Sequence, residues 1–307
     1  MKIVSVINYK GGVGKTTVTA NLSAELAWRG YKVLMIDLDP QTNLTFSFIR
    51  PDEWQNSLAE TKTIKQAFDS LIDGSTFDIN SLIVEPARVK QRLDGNGKLH
   101  LISSHLGLIN VDLDLATLLA GANMKQSKKN FLKVHRRLAD GIADIPSGEY
   151  DVVLIDCPPN FNIVTKTAIV ASDYILVPTR PDFLSTLGID YLIRNMNELV
   201  RDYNDYAEEG EDATAPIMPS TIGVLFNMIQ ERSEAPIQAQ QTYISQLSRL
   251  GGLVIFDDYI KRNDTLFASA PEEGVPVVLK GTTGGTYKSV VDGLEAVASE
   301  FVDKIDL

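Results

Sequence analysis

The sequence predicts an α/β fold, a doubly wound and mostly parallel sheet flanked by helices. Three observations carry that expectation. Short apolar runs recur along the chain, segments of helical period separate them, and a glycine-rich loop joins the first run to the first helix. The runs cover residues 2–7, 33–36, 99–102, 152–155, 174–177, 222–226 and 253–256. They are rich in Val and Ile and mostly lack polar alternation, as expected of strands buried on both faces of a parallel sheet. Leu22, Ala24, Leu26 and Ala27 set the period of the helix after the glycine loop. Leu184, Leu187, Tyr191, Ile193, Met196 and Leu199 do the same after the fifth run. Strands alternating with helices imply right-handed crossovers.

Two segments interrupt this alternation. Residues 50–98 mix a helical stretch at 63–71 with turn signals such as Asp73-Gly74 and Asp94-Gly95-Asn96-Gly97. Residues 204–219 carry five acids and no base, which reads as a solvated surface loop. Neither has the composition of a linker. Residues 1–307 are therefore expected to form one domain, with 50–98 as an extended segment.

Composition narrows the function. A chain of 307 residues can bury most of its unfolded surface without a covalent staple. The single cysteine, Cys157, excludes an intramolecular disulfide framework, a cysteine-rich zinc site and an iron–sulfur cluster held by one chain. With three histidines, His100, His105 and His135, a histidine-rich metal site is not expected. The first apolar run is too short for a signal-peptide core, and nowhere do ~18 apolar residues run together. A cytoplasmic protein is the expectation. The net charge of −11 weighs against a nucleic-acid partner unless the basic residues gather on one face.

The strongest motif is Lys10-Gly11-Gly12-Val13-Gly14-Lys15-Thr16-Thr17, directly after a strand and opening a helix. Glycines let successive backbone N–H groups approach phosphate oxygens, and the helix N-terminus adds a favourable dipole. Lys15 is expected at the β- and γ-phosphates, with the Thr16 hydroxyl on Mg²⁺. A glycine-rich turn that only packs tightly is the competing interpretation, and the strand–loop–helix setting argues against it. The second and fourth runs both end in acid: Asp37-Leu38-Asp39-Pro40-Gln41-Thr42-Asn43 and Asp156-Cys157-Pro158-Pro159. Carboxylates at the C-terminal ends of parallel strands face the crevice where such sheets bind ligands. Asp156 is the Walker B type of acid, expected to hold a Mg²⁺-bound water and to hydrogen-bond Thr16. Cys157 beside it reads as a small buried residue, not a reactive thiol.

The loop departs from the standard pattern. Tyr9 stands where a glycine is usual, and Lys10 is additional. The stretch Val4-Ser5-Val6-Ile7-Asn8-Tyr9-Lys10-Gly11-Gly12-Val13-Gly14-Lys15-Thr16-Thr17 resembles the deviant Walker A motif of the ParA/MinD/Soj family of ATPases, and most closely the small partition proteins. The resemblance covers residues 1–48, 99–120, 150–200 and 222–280. It implies ATP and Mg²⁺ as cofactors and a homodimer that sandwiches ATP, with Lys10 reaching the partner's nucleotide. It gives Asp39 the positioning of the attacking water and places Asp37 in or near the Mg²⁺ shell. It also puts an adenine-reading amide at Asn227. The stretch from Ile260-Lys261-Arg262-Asn263 to Ala270-Pro271-Glu272-Glu273-Gly274-Val275-Pro276-Val277 resembles the family's base-pocket wall, with Lys261 where proline is usual. A preceding helix-turn-helix domain is not expected, since the loop's strand starts at Lys2.

Within the family, cluster-binding branches need cysteines that this chain lacks. Membrane-binding branches need a basic amphipathic tail. Here Val290, Leu294, Val297, Phe301 and Ile305 share one face of a tail with five acids and one lysine, which is expected to dock on the protein core. DNA-based positioning remains: an ATP-driven dimer that binds nucleoid DNA non-specifically and releases it when a ParB-like cargo adaptor stimulates slow hydrolysis. Arg194, Arg201 and Arg232 are the candidate DNA contacts. The basic stretch of Lys125, Lys128, Lys129, Lys133, Arg136 and Arg137 reads as a solvated helix face, with a DNA or partner site as the alternative. The alternatives are an ATP-dependent small-molecule ligase or synthetase of the same superfamily, and a regulator that binds protein alone.

Overall fold

The computed structural model describes residues 1–210, 214–249, 252–281 and 284–307. Strands β1 (Lys2–Val6), β2 (Lys32–Asp37), β3 (Lys98–Ile102), β4 (Val152–Asp156), β5 (Tyr174–Thr179) and β6 (Ser220–Phe226) form a parallel sheet of order β3-β2-β4-β1-β5-β6. Alternation sorts the side chains by face: Val33, Met35, Val152 and Leu154 pack into one core layer, and Leu34, Ile36, Val153 and Ile155 into the other. Both faces are dry, and for that reason the strands read as apolar runs without polar alternation.

Helix α1 (Lys15–Trp28) follows β1. The excursion between β2 and β3 holds α2 (Asn43–Phe46), α3 (Pro51–Ser57), α4 (Lys65–Asp73) and α5 (Ala87–Leu93). It is packed against the sheet layers through Trp54, Phe68, Val89 and Leu93, and Trp54 Nε1 donates to the Ser104 carbonyl at 3.2 Å. Helices α6 (Leu108–Leu119), α7 (Met124–His135) and α8 (Arg137–Ala143) precede β4, and α9 (Ile163–Ala171) follows it. After β5 comes α10 (Phe183–Glu209), the longest helix. After β6 come a two-residue hairpin, β7 (Glu231–Arg232) with β8 (Ala235–Pro236), then α11 (Gln238–Arg249), α12 (Asp264–Glu273) and α13 (Gly285–Ile305). Val290, Leu294, Val297, Phe301 and Ile305 of α13 are buried in the layer shared with α1, so the tail docks on the core.

Three expectations are corrected. Residues 253–256 do not form a seventh strand: Ile255 makes one bridge to Val224. The chain then turns away because Glu300 of α13 accepts the Asp257 and Asp258 amides at 3.0 Å each. The loop expected from residue 204 begins later, since α10 continues to Glu209. Its apolar stripe continues through Tyr203 and Ala207, which pack with Leu132 and Val170. Glu211 and Asp212 of that segment lie outside the described residues. The buried face of α10 is Ile189, Leu192, Met196 and Leu199, whereas Leu184, Leu187 and Tyr191 are exposed.

Candidate functional site

The site forms where the C-terminal ends of β1, β2 and β4 meet the start of α1. Gly12 (φ 72°) and Gly14 (φ 89°) adopt left-handed conformations that a side chain would strain. A Cβ on Gly14 would also lie 2.0 Å from Asn227 Nδ2, whereas Gly11 and Gly12 face open space. The Val18 amide donates to the Gly14 carbonyl at 2.9 Å, so the helix starts immediately after the loop. Val13 is buried beneath it, and Thr17 lies on the first turn, its carbonyl accepting from Asn21.

Lys15 is nearly buried, and its ammonium donates to the carbonyls of Asn8 (3.1 Å) and Lys10 (3.3 Å). Burial lowers its pKa, against the pull of Asp156 and Asp39. The Thr16 hydroxyl donates to Asp156 Oδ2 at 2.7 Å, and Thr19 Oγ1 reaches Asp156 Oδ1 at 3.4 Å. Asp37 is paired in register with Asp156 on the neighbouring strand, and both are fully buried. Asp37 accepts the Thr45 amide (2.8 Å) and hydroxyl (2.7 Å), and the Asp39 amide (3.1 Å). Burial, with Asp156 adding to it, raises the Asp37 carboxyl well above the usual range; burial pushes Asp156 up to about 7. Asp39 is 7% exposed and accepts the Gln41 amide at 2.9 Å. Thr42, a β-branched residue, is held at φ 56°, a strained conformation beside these carboxylates.

Asp37, Asp39 and Asp156 therefore repel one another in a nearly dry setting, with the Lys15 ammonium acting on Asp39 and Asp156, and a divalent cation would offset the repulsion. That charge imbalance and the open space above Gly11 and Gly12 fit a Mg²⁺–nucleotide.

Other residues are placed less simply. Lys10 is part-exposed, and its ammonium donates to Asp182 Oδ1 and Ser185 Oγ, each at 2.9 Å. Asp182 caps α10 by accepting the Ser185 amide at 2.9 Å. Sequence reasoning missed Asp182 and Ser185, although Asp-x-x-Ser ahead of a helical period is a cap signal. Asn227 is 2% exposed, with Nδ2 donating to the Val13 carbonyl (3.1 Å) and Oδ1 accepting the Met228 amide (2.7 Å). Adenine reading would exchange those bonds. Lys261, the departure from the family pattern, pairs with Glu231 at 2.8 Å and donates to Ser289 at 2.7 Å. Glu231 is thus turned from Arg232, which is exposed on β7. Arg194 pairs with Asp190 (2.6 Å), and Arg201 with Asp202 (3.3 Å) and Glu198 (3.8 Å).

These features define the class: a P-loop nucleotide-binding domain with its acidic groups on adjacent strands. A family model described as "AAA domain" matches residues 1–208. With that match, and with relatives of the partition type, the chain belongs to the ParA/MinD/Soj family of deviant Walker A ATPases. It is 33% identical to a putative replication protein A of Rhizobium rhizogenes, over 98% of this chain and 68% of that one. It is 26% identical to the sporulation initiation inhibitor protein Soj of Bacillus subtilis, over 91% of this chain and 90% of that one. Among solved structures, a Cyanothece McdA variant in complex with ATP has a TM-score of 0.70 at 20% identity, covering 98% of this chain and 96% of that one. A Mycobacterium smegmatis cobyrinic acid a,c-diamide synthase with bound ADP and magnesium has a TM-score of 0.63 at 21% identity, covering 89% and 91%.

Proposed function

We propose that this chain is an ATP-driven dimerisation switch that positions or segregates a cargo by binding DNA non-specifically. The observation that carries the reading is Lys10, an additional lysine in the loop whose ammonium is part-exposed and whose cis partner, Asp182, is part-exposed too. A cation in that position is free to exchange an internal carboxylate for a partner's nucleotide, where it would neutralise developing charge as an arginine finger does. Phe183, Leu184, Leu187 and Tyr191 expose a large apolar patch on the first turns of α10, next to Lys10, which supports a second protomer on this face.

Gly11, Gly12, Val13, Gly14, Lys15, Thr16 and Thr17 would hold the phosphates of ATP, and Thr16, Asp37 and Asp156 the Mg²⁺. The bound nucleotide supplies the phosphoryl group whose hydrolysis resets the switch. Asp39 orients water, Lys15 neutralises phosphate charge, and Asn227 borders the base after exchanging its present partners. Arg194, Arg201 and Arg232 remain the proposed DNA contacts, and an adaptor of the ParB kind the activator. Among the described residues no helix is long and apolar enough to cross a membrane. The place of action in this reading is the nucleoid, in the cytoplasm.

The likeness in fold to a cobyrinic acid diamide synthase favours a second reading, an ATP-dependent ligase or synthetase. Measuring ATP hydrolysis with DNA plus a candidate adaptor, and separately with small acids and amines, discriminates the two. Light scattering with ATP and with ADP tests the dimer; a monomer under every condition would overturn the switch.

A further inference from the structure

We propose that the cleft between α7 and the end of α10 is a second anion site, which takes closely spaced phosphates and is separate from the glycine loop. The cleft has a volume of about 640 Å³, within the roughly 300–1,000 Å³ usual for ligand sites. Lys125, Lys128, Lys129 and Lys133 follow one another at i, i+3, i+4 and i+8, so they share one side of α7, and Arg136 continues the row. The row spans about 16 Å at ~1.5 Å per residue. Leu132 and Tyr206 give the cleft an apolar floor. Five of the described lining residues are cations, on a chain whose net charge is −11.

The structure shows how these cations behave towards an anion. Glu209, at the end of α10, pairs with Lys128, whose ammonium also lies 5.0 Å from the centroid of the Tyr206 ring. Arg136 reaches Asp140 at 3.0 Å and the Thr214 hydroxyl at 3.2 Å. Lys125 and Lys129 have contacts of their own. Each such carboxylate offers a single charge, whereas a phosphate brings up to two, with three strong acceptor oxygens. A run of phosphates therefore competes for Lys128 against Glu209. Lysine ammoniums act as mobile point charges that suit successive phosphates, whereas recognition of single carboxylates favours the arginine fork. Arg137, the sixth base of this stretch, takes no part: its guanidinium donates to the Ala67 carbonyl and lies 4.8 Å from the Phe77 ring.

The cleft stands far from the glycine loop. Asp182, which holds Lys10, caps one end of α10, and Glu209 closes the other, about 40 Å away along the helix. Both sites can be filled at once. The phosphates come either from a nucleic-acid backbone or from a free oligophosphate; only the first source rests on the DNA reading above.

Calorimetric titration of the full chain tests this, with inorganic tripolyphosphate in the presence of ADP and excess Mg²⁺, and with a short duplex of arbitrary sequence in the presence of ATP. The double variant Lys125→Gln/Lys133→Gln, altered only at exposed positions, should bind tripolyphosphate at least about tenfold more weakly. Glu209→Gln, which frees Lys128, should bind it about threefold more tightly, an increase that a purely structural ion pair would not give. Labelled ADP should bind all three proteins equally, and melting curves check their folding. Parallel loss of duplex binding in the double variant assigns the phosphates to nucleic acid; loss confined to tripolyphosphate assigns them to a small ligand. Tripolyphosphate that fails to bind, or binds the double variant as it does wild type, overturns the cleft. Duplex binding that persists in that case leaves the DNA reading standing. Tripolyphosphate binding that responds to the variants while wild type ignores the duplex supports the cleft and removes the DNA reading.

Discussion

Thr16 and Asp156 join the glycine loop to the strand beside it: the Thr16 hydroxyl donates to Asp156 Oδ2 at 2.7 Å across 140 residues of sequence. The bond fixes a hydroxyl and a fully buried carboxylate at one point, next to Asp37 on the neighbouring strand. Burial raises the proton affinity of both carboxyls, so the pair is a poor place for two bare charges and a good one for a cation.

Lys15→Ala should abolish nucleotide binding, a loss of more than about 100-fold, because it removes the ammonium that the Asn8 and Lys10 carbonyls hold inside the loop. Thr16→Ala should weaken binding about tenfold in Mg²⁺ and little in EDTA. Fluorescence titration with labelled ATP under both conditions reads both effects.

Lys10→Ala should leave ATP affinity within about twofold of wild type and block dimerisation or hydrolysis. Asp39→Ala should accumulate an ATP-bound dimer, since hydrolysis loses its water-positioning group. Light scattering of each variant with ATP, alongside phosphate release, separates them; loss of ATP binding in Lys10→Ala would count against a role in trans.

His135 should make the fold acid-sensitive. It is buried, its Nδ1 is 2.8 Å from the Phe131 carbonyl, and its Nε2 has no partner among the described residues. Burial pushes its pKa down from 6.5 to about 4. The unfolded chain therefore holds the extra proton between those values, and stability falls as pH drops from about 6.5 towards 4, by up to roughly 3 kcal/mol. Urea unfolding at pH 7.5 and pH 5 should show a smaller difference in His135→Leu than in wild type.

Cys157 should be inert in the native protein. It is fully buried, and burial, with the neighbouring Asp156 carboxyl, raises its thiol pKa. Alkylation by iodoacetamide at pH 8 should be negligible without denaturant and complete in guanidinium, as read by mass spectrometry.

Phe301→Ala in α13 should destabilise the fold by about 3–5 kcal/mol, because the ring is fully buried where the tail meets the sheet layer. Denaturant midpoints measure this. A cost near zero would mean that the tail is not docked in solution.

Much of the fold was legible because parallel strands buried on both faces leave a local mark. Six of the seven apolar runs are strands, and the glycine loop opens a helix where expected. The seventh run stops at one bridge to Val224 because the next amides, of Asp257 and Asp258, go to Glu300, a distant partner that no local pattern reveals. On α10 the apolar period was visible, but the choice of buried stripe was not: Leu184 and Leu187 share the helix with Leu192 and Leu199, and only packing distinguishes them.

The sequence by itself determined the chemistry on offer: a phosphate-binding loop with an added lysine, acids at two strand ends, and a charge pattern without a metal-binding cysteine set. Tertiary structure alone decided which of these groups face one another. It tied Thr16 to Asp156, turned Lys10 onto Asp182, buried the Asn227 amide under the loop and gathered the lysines of α7 around a cleft closed by Glu209. The reason is physical. Residue type and spacing fix local geometry, whereas burial and long-range contact set each group's partners, and with them its charge and its availability.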